Sequence, residues 1–127
     1  MTEKEINAMS ALALAHMGDT VFELQVRTML CTEGLCVNRN LHKETIARVC
    51  APAQAAFADR LLPSLTAEEL AVYKRGRNAH VHAIPKNATA SQYGKATGLE
   101  ALFGWLHLMG RQDRIDELFR AGQKEEE

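Results

Sequence analysis

Two acidic residues occupy positions that helix packing alone does not explain. Asp19 follows Gly18 and precedes a strongly apolar helical segment. Glu100 is the single acid in the apolar run 96–108. A carboxylate in such surroundings must face solvent, pair with a base or bind a cation. The spacing leaves ordinary structural roles open as well, because Asp19 also suits a helix N-terminus and Glu100 also suits a salt bridge in the core.

A basic stretch is the second feature that could do chemistry. Between Leu70 and Leu99 there is no Asp or Glu, although the net charge of the chain is −1. Arginine and lysine side chains on a loop suit phosphate groups. Tyr73 and Tyr93 are the only Phe, Tyr or Trp residues there, which favours contact with a duplex backbone over stacking on single-stranded bases. A solvated loop with a chance excess of basic residues is the alternative. The basic residues and histidines of the stretch are Lys74, Arg75, Arg77, His80, His82, Lys86 and Lys95.

Glu23 and the cysteines fit ordinary structural roles. Glu23 stands four residues before Arg27, so we expect an ion pair along one helix face. The cysteines are odd in number and form no CxxC pair, which favours reduced thiols over a zinc site or disulfides. They are Cys31, Cys36 and Cys50.

The N-terminal sequence predicts a cytoplasmic protein. It begins acidic and lacks the basic region with which a signal peptide starts. Its apolar run, 11–15, is too short for a signal-peptide core or a membrane span. We therefore expect a cytoplasmic location and no membrane partner.

Composition and periodicity predict an all-α fold. The chain has 127 residues, of which 46% are hydrophobic, and this fits one compact domain across 1–127. Abundant Ala, Leu and Met favour helix over strand. Apolar periodicity and capping signals predict a loop at 78–90 and helices at 3–16, 19–32, 38–47, 53–62, 66–75, 91–109 and 112–121.

Three further predictions concern how these helices begin and pack. The segment 19–32 is apolar over a wide face, which predicts a central, largely buried helix. Thr66 followed by Glu69 predicts a capping box. Gly98 and Gly104 each cost about 1 kcal/mol of helix propensity, which indicates that they permit close approach of another backbone.

Four sequence blocks, in this order, carry a family resemblance. They read LAHMGDTVFEL at 14–24, RGRNA at 75–79, PKNA at 85–88 and ATGLEALFGWL at 96–106. Together they resemble the ribonuclease III family, and most closely its small Mini-ribonuclease III branch. The likeness extends from about residue 7 to residue 119, which is nearly the whole chain.

The resemblance implies a fold, an activity and a metal. The family fold is an all-α endonuclease domain, a helical bundle that forms a homodimer, with a magnesium site lined by carboxylates in each subunit. By position, the aspartate of the Gly-Asp block is Asp19 and the glutamate of the Glu-Ala-Leu block is Glu100. Both are therefore expected to be catalytic and to bind Mg²⁺, an ion that prefers hard carboxylate oxygens. The implied reaction is cleavage of double-stranded RNA to 5′-phosphate and 3′-hydroxyl ends.

The resemblance also implies partners. The natural substrate would be the 23S ribosomal RNA precursor in a bacterial cytoplasm, and the need for a ribosomal-protein helper stays open. No double-stranded-RNA-binding domain is expected within 1–127, so the endonuclease domain itself must hold the RNA. The residues expected to contact phosphates or 2′-hydroxyl groups are Lys74, Arg75, Arg77, Asn78 and Lys86.

The chain departs from the family pattern at two positions. Full-length ribonuclease III carries a glutamate where this chain has Ala15 and an aspartate where it has Thr97. Two of the usual four carboxylates remain, which leaves the number of metal ions open. A non-catalytic RNA-binding or ribosome-assembly protein on the same fold is therefore the alternative function, and a helical dimerisation module is another. Retention of Asp19 and Glu100 favours the nuclease.

Overall fold

Helices form every regular element in residues 1–34, 38–79 and 86–124, which are the parts of the chain that this computed structural model describes. The helices are α1 (Glu3–Asn7), α2 (Ala11–Thr32), α3 (Leu41–Val49), α4 (Ala51–Leu61), α5 (Ala67–Arg77), α6 (Ala90–Leu108) and α7 (Gln112–Ala121). Short 3₁₀ turns at Asn38–Asn40 and Leu62–Ser64 lead into α3 and follow α4. The predicted all-α fold is confirmed.

Helix α6 runs through the centre of the bundle and packs against α2, α4 and α5. Phe22 of α2 lies edge-on to Phe57, Phe103 and Phe119, with ring centroids 5.0, 5.5 and 5.8 Å away. These rings join α2, α4, α6 and α7 in one core. The fully buried apolar side chains of α6 are Leu99, Ala101, Leu102, Phe103, Trp105 and Leu106.

The prediction that the segment 19–32 is the central buried helix is wrong. Leu24 is 62% exposed, and Thr28 is exposed as well. Helix α2 therefore buries one face, and its apolar residues extend beyond that buried face onto the exposed side. α6 takes the central position because its small residues admit other helices on several sides.

Helix α2 is also longer than predicted. The sequence suggested a break near Gly18, between helices at 3–16 and 19–32, but the structure has one helix across this point. Ser10 begins it, since its hydroxyl accepts a hydrogen bond from the backbone N–H of Ala13 at 3.1 Å. Gly18 stays helical and is buried, so its role is packing and not termination.

The other predicted boundaries hold to within a few residues. The Thr66–Glu69 capping box is present, and the helix predicted at 112–121 is found as α7. Gly34 and Gly110 have φ angles of +62° and +73°, the left-handed conformation that glycine adopts readily after a helix. Residues 80–85 of the predicted loop at 78–90, which include His80, His82 and Pro85, lie outside the described residues, as does Cys36.

A buried ion pair attaches α7 to the start of α5. Glu69 is 3% exposed and accepts hydrogen bonds from Nε and Nη2 of Arg114, at 2.8 and 2.7 Å. Arg114 Nη2 also donates to the Ser64 carbonyl at 2.7 Å. Burial alone would raise the pKa of the Glu69 carboxyl, but the hydrogen bonds from Arg114 and Thr66 outweigh it and the pKa is lowered.

No helix in the described ranges is both long enough and apolar enough to cross a lipid bilayer.

Glycines at two helix crossings let the helices touch through their backbones. At the crossing of α2 and α6, a Cβ on Gly18 would overlap the Glu100 carbonyl oxygen, and one on Gly104 would overlap the Leu14 carbonyl oxygen. At the crossing of α5 and α6, a Cβ on Gly98 would lie 2.7 Å from the Tyr73 carbonyl oxygen. The close packing predicted for Gly98 and Gly104 is therefore present.

Replacing Gly18 with alanine is expected to destabilise the protein by about 3 kcal/mol or more, because the added methyl group forces α2 away from α6. Urea unfolding measures this change. Thr20→Ala is the control, since it changes an exposed side chain on the same helix and should alter stability by less than about 0.5 kcal/mol. Equal stability of Gly18→Ala and the parent would contradict the backbone contact.

Candidate active site

Asp19 and Glu100 lie side by side where α2 crosses α6. The two helices run antiparallel, with Leu14 opposite Gly104 and Gly18 opposite Glu100. Because Asp19 directly follows Gly18, the crossing carries its carboxylate close enough to Glu100 to raise the pKa of that carboxyl. The crossing thus brings together the two acids that the sequence singled out. Asp19 lies about two turns inside α2, so the alternative role for it at a helix N-terminus is wrong.

The environment of Glu100 disfavours its charge. Burial raises the pKa of its carboxyl from an ordinary 4.5 to about 8. The nearby Asp19 side chain and its negative charge act in the same direction, whereas the Gln54 amide acts against them. At neutral pH Glu100 is therefore largely protonated, because its ionisation would place a second negative charge beside Asp19.

The donor set at the crossing fits a magnesium ion. Both groups offer hard oxygen ligands, and magnesium in proteins is commonly held by one or two carboxylates with water filling the other positions. Within the described ranges, no group of three or more His, Cys, Asp or Glu side chains could bind a metal. Any metal at Asp19 and Glu100 would therefore depend on these two carboxylates for its acidic ligands.

The two positions that depart from the family pattern carry short side chains. Ala15 is 7% exposed on α2, in the turn before Asp19. Thr97 is also 7% exposed, and its hydroxyl donates to the Tyr93 carbonyl at 3.0 Å. Neither side chain can serve as an acidic ligand. The structure therefore keeps the helix crossing of the site with a smaller number of carboxylates.

Gln54 is a site residue that the sequence analysis missed. It lies on α4, is 2% exposed, and its amide is near enough to Glu100 to lower the pKa of that carboxyl. Its Nε2 nevertheless makes no hydrogen bond of full geometry. An unpaired buried donor costs about 1–3 kcal/mol. One signal was available in the sequence, since Gln54 is the only polar side chain in the run 51–58.

The basic residues lie on the last turn of α5 and beyond it. Lys74, Arg75 and Arg77 are exposed, and none of them pairs with an acid in the part of the chain that the structure covers. Arg75 Nη2 donates to the Met9 carbonyl at 2.8 Å, so one side of its guanidinium ties the start of the chain to α5. Lys86 is exposed.

Arg77 and Lys95 of the basic stretch have side-chain partners. Arg77 donates from Nε to Asn78 Oδ1 at 3.3 Å, and its guanidinium lies 5.9 Å from the centre of the Tyr73 ring. Lys95 is paired with Asp59 at 2.9 Å, which removes it from the unpaired basic set. The predicted pair of Glu23 and Arg27 is confirmed, at 3.0 Å.

Comparison with known proteins assigns the family. The sequence model described as "Ribonuclease III domain" matches residues 12–111. The chain is 42% identical to a Mini-ribonuclease 3 from Symbiobacterium thermophilum, across 87% of this chain and 85% of the relative. It is 38% identical to the Mini-ribonuclease 3 of Clostridium tetani, across 94% and 80%.

A solved structure agrees with the sequence relatives. The crystal structure of a protein from Fusobacterium nucleatum superposes with a TM-score of 0.82 at 28% identity, and the match covers 91% of this chain and 93% of that one. Because both the sequence and the fold match over nearly the whole chain, this protein belongs to the ribonuclease III family, in its Mini-ribonuclease III branch, and is an endoribonuclease.

Proposed function

We propose that this endoribonuclease is magnesium-dependent and cleaves double-stranded RNA, with Asp19 and Glu100 as its metal ligands and catalytic carboxylates. The observation that supports the proposal is the close approach of these two acids, distant in sequence, at the crossing of α2 and α6. A cation bound between two such carboxylates would favour their ionised forms. Membership of the ribonuclease III family supports a cation as the functional partner.

The surroundings of the pair suit cleavage of a phosphodiester. Magnesium, when bound, supplies activation of water for in-line attack and neutralises charge on the phosphate and leaving oxygens. Asp19 is exposed and Glu100 is half-buried, so the pair opens to solvent on the Asp19 side, where a substrate can approach. Glu100 must release its proton before it can act as a ligand. The products would carry 5′-phosphate and 3′-hydroxyl ends.

RNA is held, in this proposal, by the basic residues at the end of α5 and after it. Their exposed side chains and the absence of acids between Leu70 and Leu99 support phosphate contacts. The domain would bind RNA without a separate double-stranded-RNA-binding domain in 1–127. The proposed RNA-contacting residues remain Lys74, Arg75, Arg77, Asn78 and Lys86.

The proposed assembly is a two-fold homodimer, which would give one active site for each RNA strand. Leu24 on α2 and Ile46 on α3 are 62% and 51% exposed and offer apolar surface for such an interface. Measurement of the molecular mass in solution would distinguish a homodimer from a monomer. We propose the 23S ribosomal RNA precursor as substrate in the bacterial cytoplasm, with or without a ribosomal-protein helper, and depletion of the protein should cause that precursor to accumulate.

Asp19→Asn is expected to reduce cleavage of a duplex RNA by at least about 10³-fold, since metal catalysis contributes several kcal/mol to the rate. The fold should persist, because Asp19 is exposed. Cleavage is measured with and without magnesium, and circular dichroism checks folding. Glu23→Gln is the matched control, since it removes another α2 carboxylate, one that pairs with Arg27. A folded Asp19→Asn variant with parental activity would remove Asp19 from the site.

Arg77→Ala is expected to weaken duplex binding and to reduce the slope of log affinity against log salt concentration by about one. Arg77 is preferred to Arg75 for this test because Arg75 also bonds the Met9 carbonyl. Binding is measured in calcium, at several salt concentrations. Arg120→Ala removes one exposed charge from α7 and should leave the slope unchanged. An unaltered slope in Arg77→Ala would exclude Arg77 from the RNA interface.

The affinity for magnesium is expected to rise with pH. Glu100 has a pKa near 8 in the metal-free protein, so binding must displace its proton. The dissociation constant should fall by close to tenfold per unit between about pH 6 and pH 7.5 and level off above pH 8. Calorimetry in two buffers should detect release of about one proton per ion at pH 7. A pH-independent affinity would mean that Glu100 is already ionised.

The raised pKa of Glu100 also makes stability depend on pH. Stability falls as the pH rises, whereas the affinity for magnesium increases. The folded-state pKa lies above the ordinary value of 4.5, so the contribution of Glu100 to stability is full below about pH 4.5 and is lost as the pH rises towards 8. Glu100→Gln should therefore unfold at a higher temperature than the parent in metal-free buffer at pH 9. The variant should also lose the pH dependence of magnesium binding.

A further inference from the structure

Gln54 has a side chain that packing does not explain. In the described ranges, two buried polar side-chain atoms lack a hydrogen-bond partner, and one of them is Gln54 Nε2. The side chain points inward from α4, the helix that packs on α6, and Ala55 and Ala58 beside it are also buried. A methionine or leucine would fill the same space without leaving a donor unpaired. The amide therefore points to a role other than packing.

The group that faces this amide is the carboxyl of Glu100. The two side chains are close enough for the amide to lower the pKa of the carboxyl, although Nε2 makes no hydrogen bond of full geometry. Asp19 also lies close to the Glu100 carboxyl. A carboxylate has room for several donors. Gln54 Nε2 is therefore a buried, unpaired donor placed beside a carboxyl that can accept from it.

We propose that Gln54 is a positioning residue, whose Nε2 donates to the Glu100 carboxylate and fixes its orientation for divalent-cation binding. The inference rests on the proposed function, in which Glu100 is a metal ligand. Hydrogen bonds from neighbouring side chains commonly orient the carboxylates that hold metals, and removing them weakens metal binding about 10- to 100-fold. A neutral amide supplies this orientation without adding a third negative charge beside Asp19 and Glu100.

The test compares metal binding by the parent protein and by Gln54→Met, which keeps the length of the side chain and removes the donor. Mg²⁺ and Mn²⁺ are titrated into the RNA-free protein by calorimetry at pH 8.5. We expect Gln54→Met to bind either ion at least tenfold more weakly. Its metal-free unfolding temperature should equal or exceed that of the parent, because an unpaired buried donor is gone. In cleavage assays kcat should fall while KM for the duplex stays unchanged.

Gln25→Met is the matched control. Gln25 Nε2 donates to Asp116 Oδ1 at 3.0 Å, so the substitution removes a satisfied amide in a different part of the bundle. It should lower the unfolding temperature and leave metal affinity unchanged. A purely structural role for Gln54 would produce the same pattern in Gln54→Met, and that pattern would overturn the inference.

A second measurement uses the parent protein and therefore does not require a folded variant. In the ¹⁵N-labelled parent protein, the side-chain amide resonance of Gln54 should shift when Mg²⁺ is added, as the unpaired Nε2 donates to the metal-bound carboxylate of Glu100. An unchanged resonance at saturating Mg²⁺ would overturn the inference. The outcomes also separate this inference from the proposed function. If Asp19→Asn binds Mg²⁺ as well as the parent does, the proposed metal site is wrong. If Asp19→Asn weakens Mg²⁺ binding but Gln54→Met does not, only the role of Gln54 is refuted.

Discussion

Helices α2 and α6 touch through their backbones at Gly18 and Gly104, and the position of the two acids depends on that contact. Each glycine costs about 1 kcal/mol relative to alanine in a helix, but a Cβ at either position would overlap a carbonyl oxygen of the opposite helix. Any larger residue would separate the helices and carry Asp19 away from Glu100. The second close contact, between Gly76 and Gly98, holds α5 against the neighbouring part of α6.

Two unfavourable features occur together near this crossing. Glu100 has a pKa raised to about 8, and among the described residues Gln54 Nε2 has no hydrogen-bond partner. The buried carboxylate of Glu69, by contrast, is paired with Arg114. Groups that disfavour folding yet occur together in one place are typical of functional sites, where the missing compensation comes from a ligand. The environment of Glu100 therefore agrees with the nuclease family to which the chain belongs.

The short side chains at Ala15 and Thr97 have a physical consequence for the site in this chain. Ala15 and Thr97 are buried beside the crossing, and Thr97 uses its hydroxyl on the backbone of its own helix. Two further acids at these positions would add negative charge next to a carboxyl that is already difficult to ionise. With short side chains there, the negative charge at the crossing is limited to Asp19 and Glu100.

Local composition and spacing are enough to predict the helical class, the capping box at Thr66 and the two unusual acids. They do not predict that α2 is continuous through Gly18, nor that α6 is the central helix. Those features follow from which faces are covered by other helices, and periodicity records only that a face is apolar. The contact of Gln54 with Glu100, and the raised pKa of that carboxyl, arise only when α2, α4 and α6 pack together. Burial and distance between side chains remote in sequence are properties of the tertiary structure.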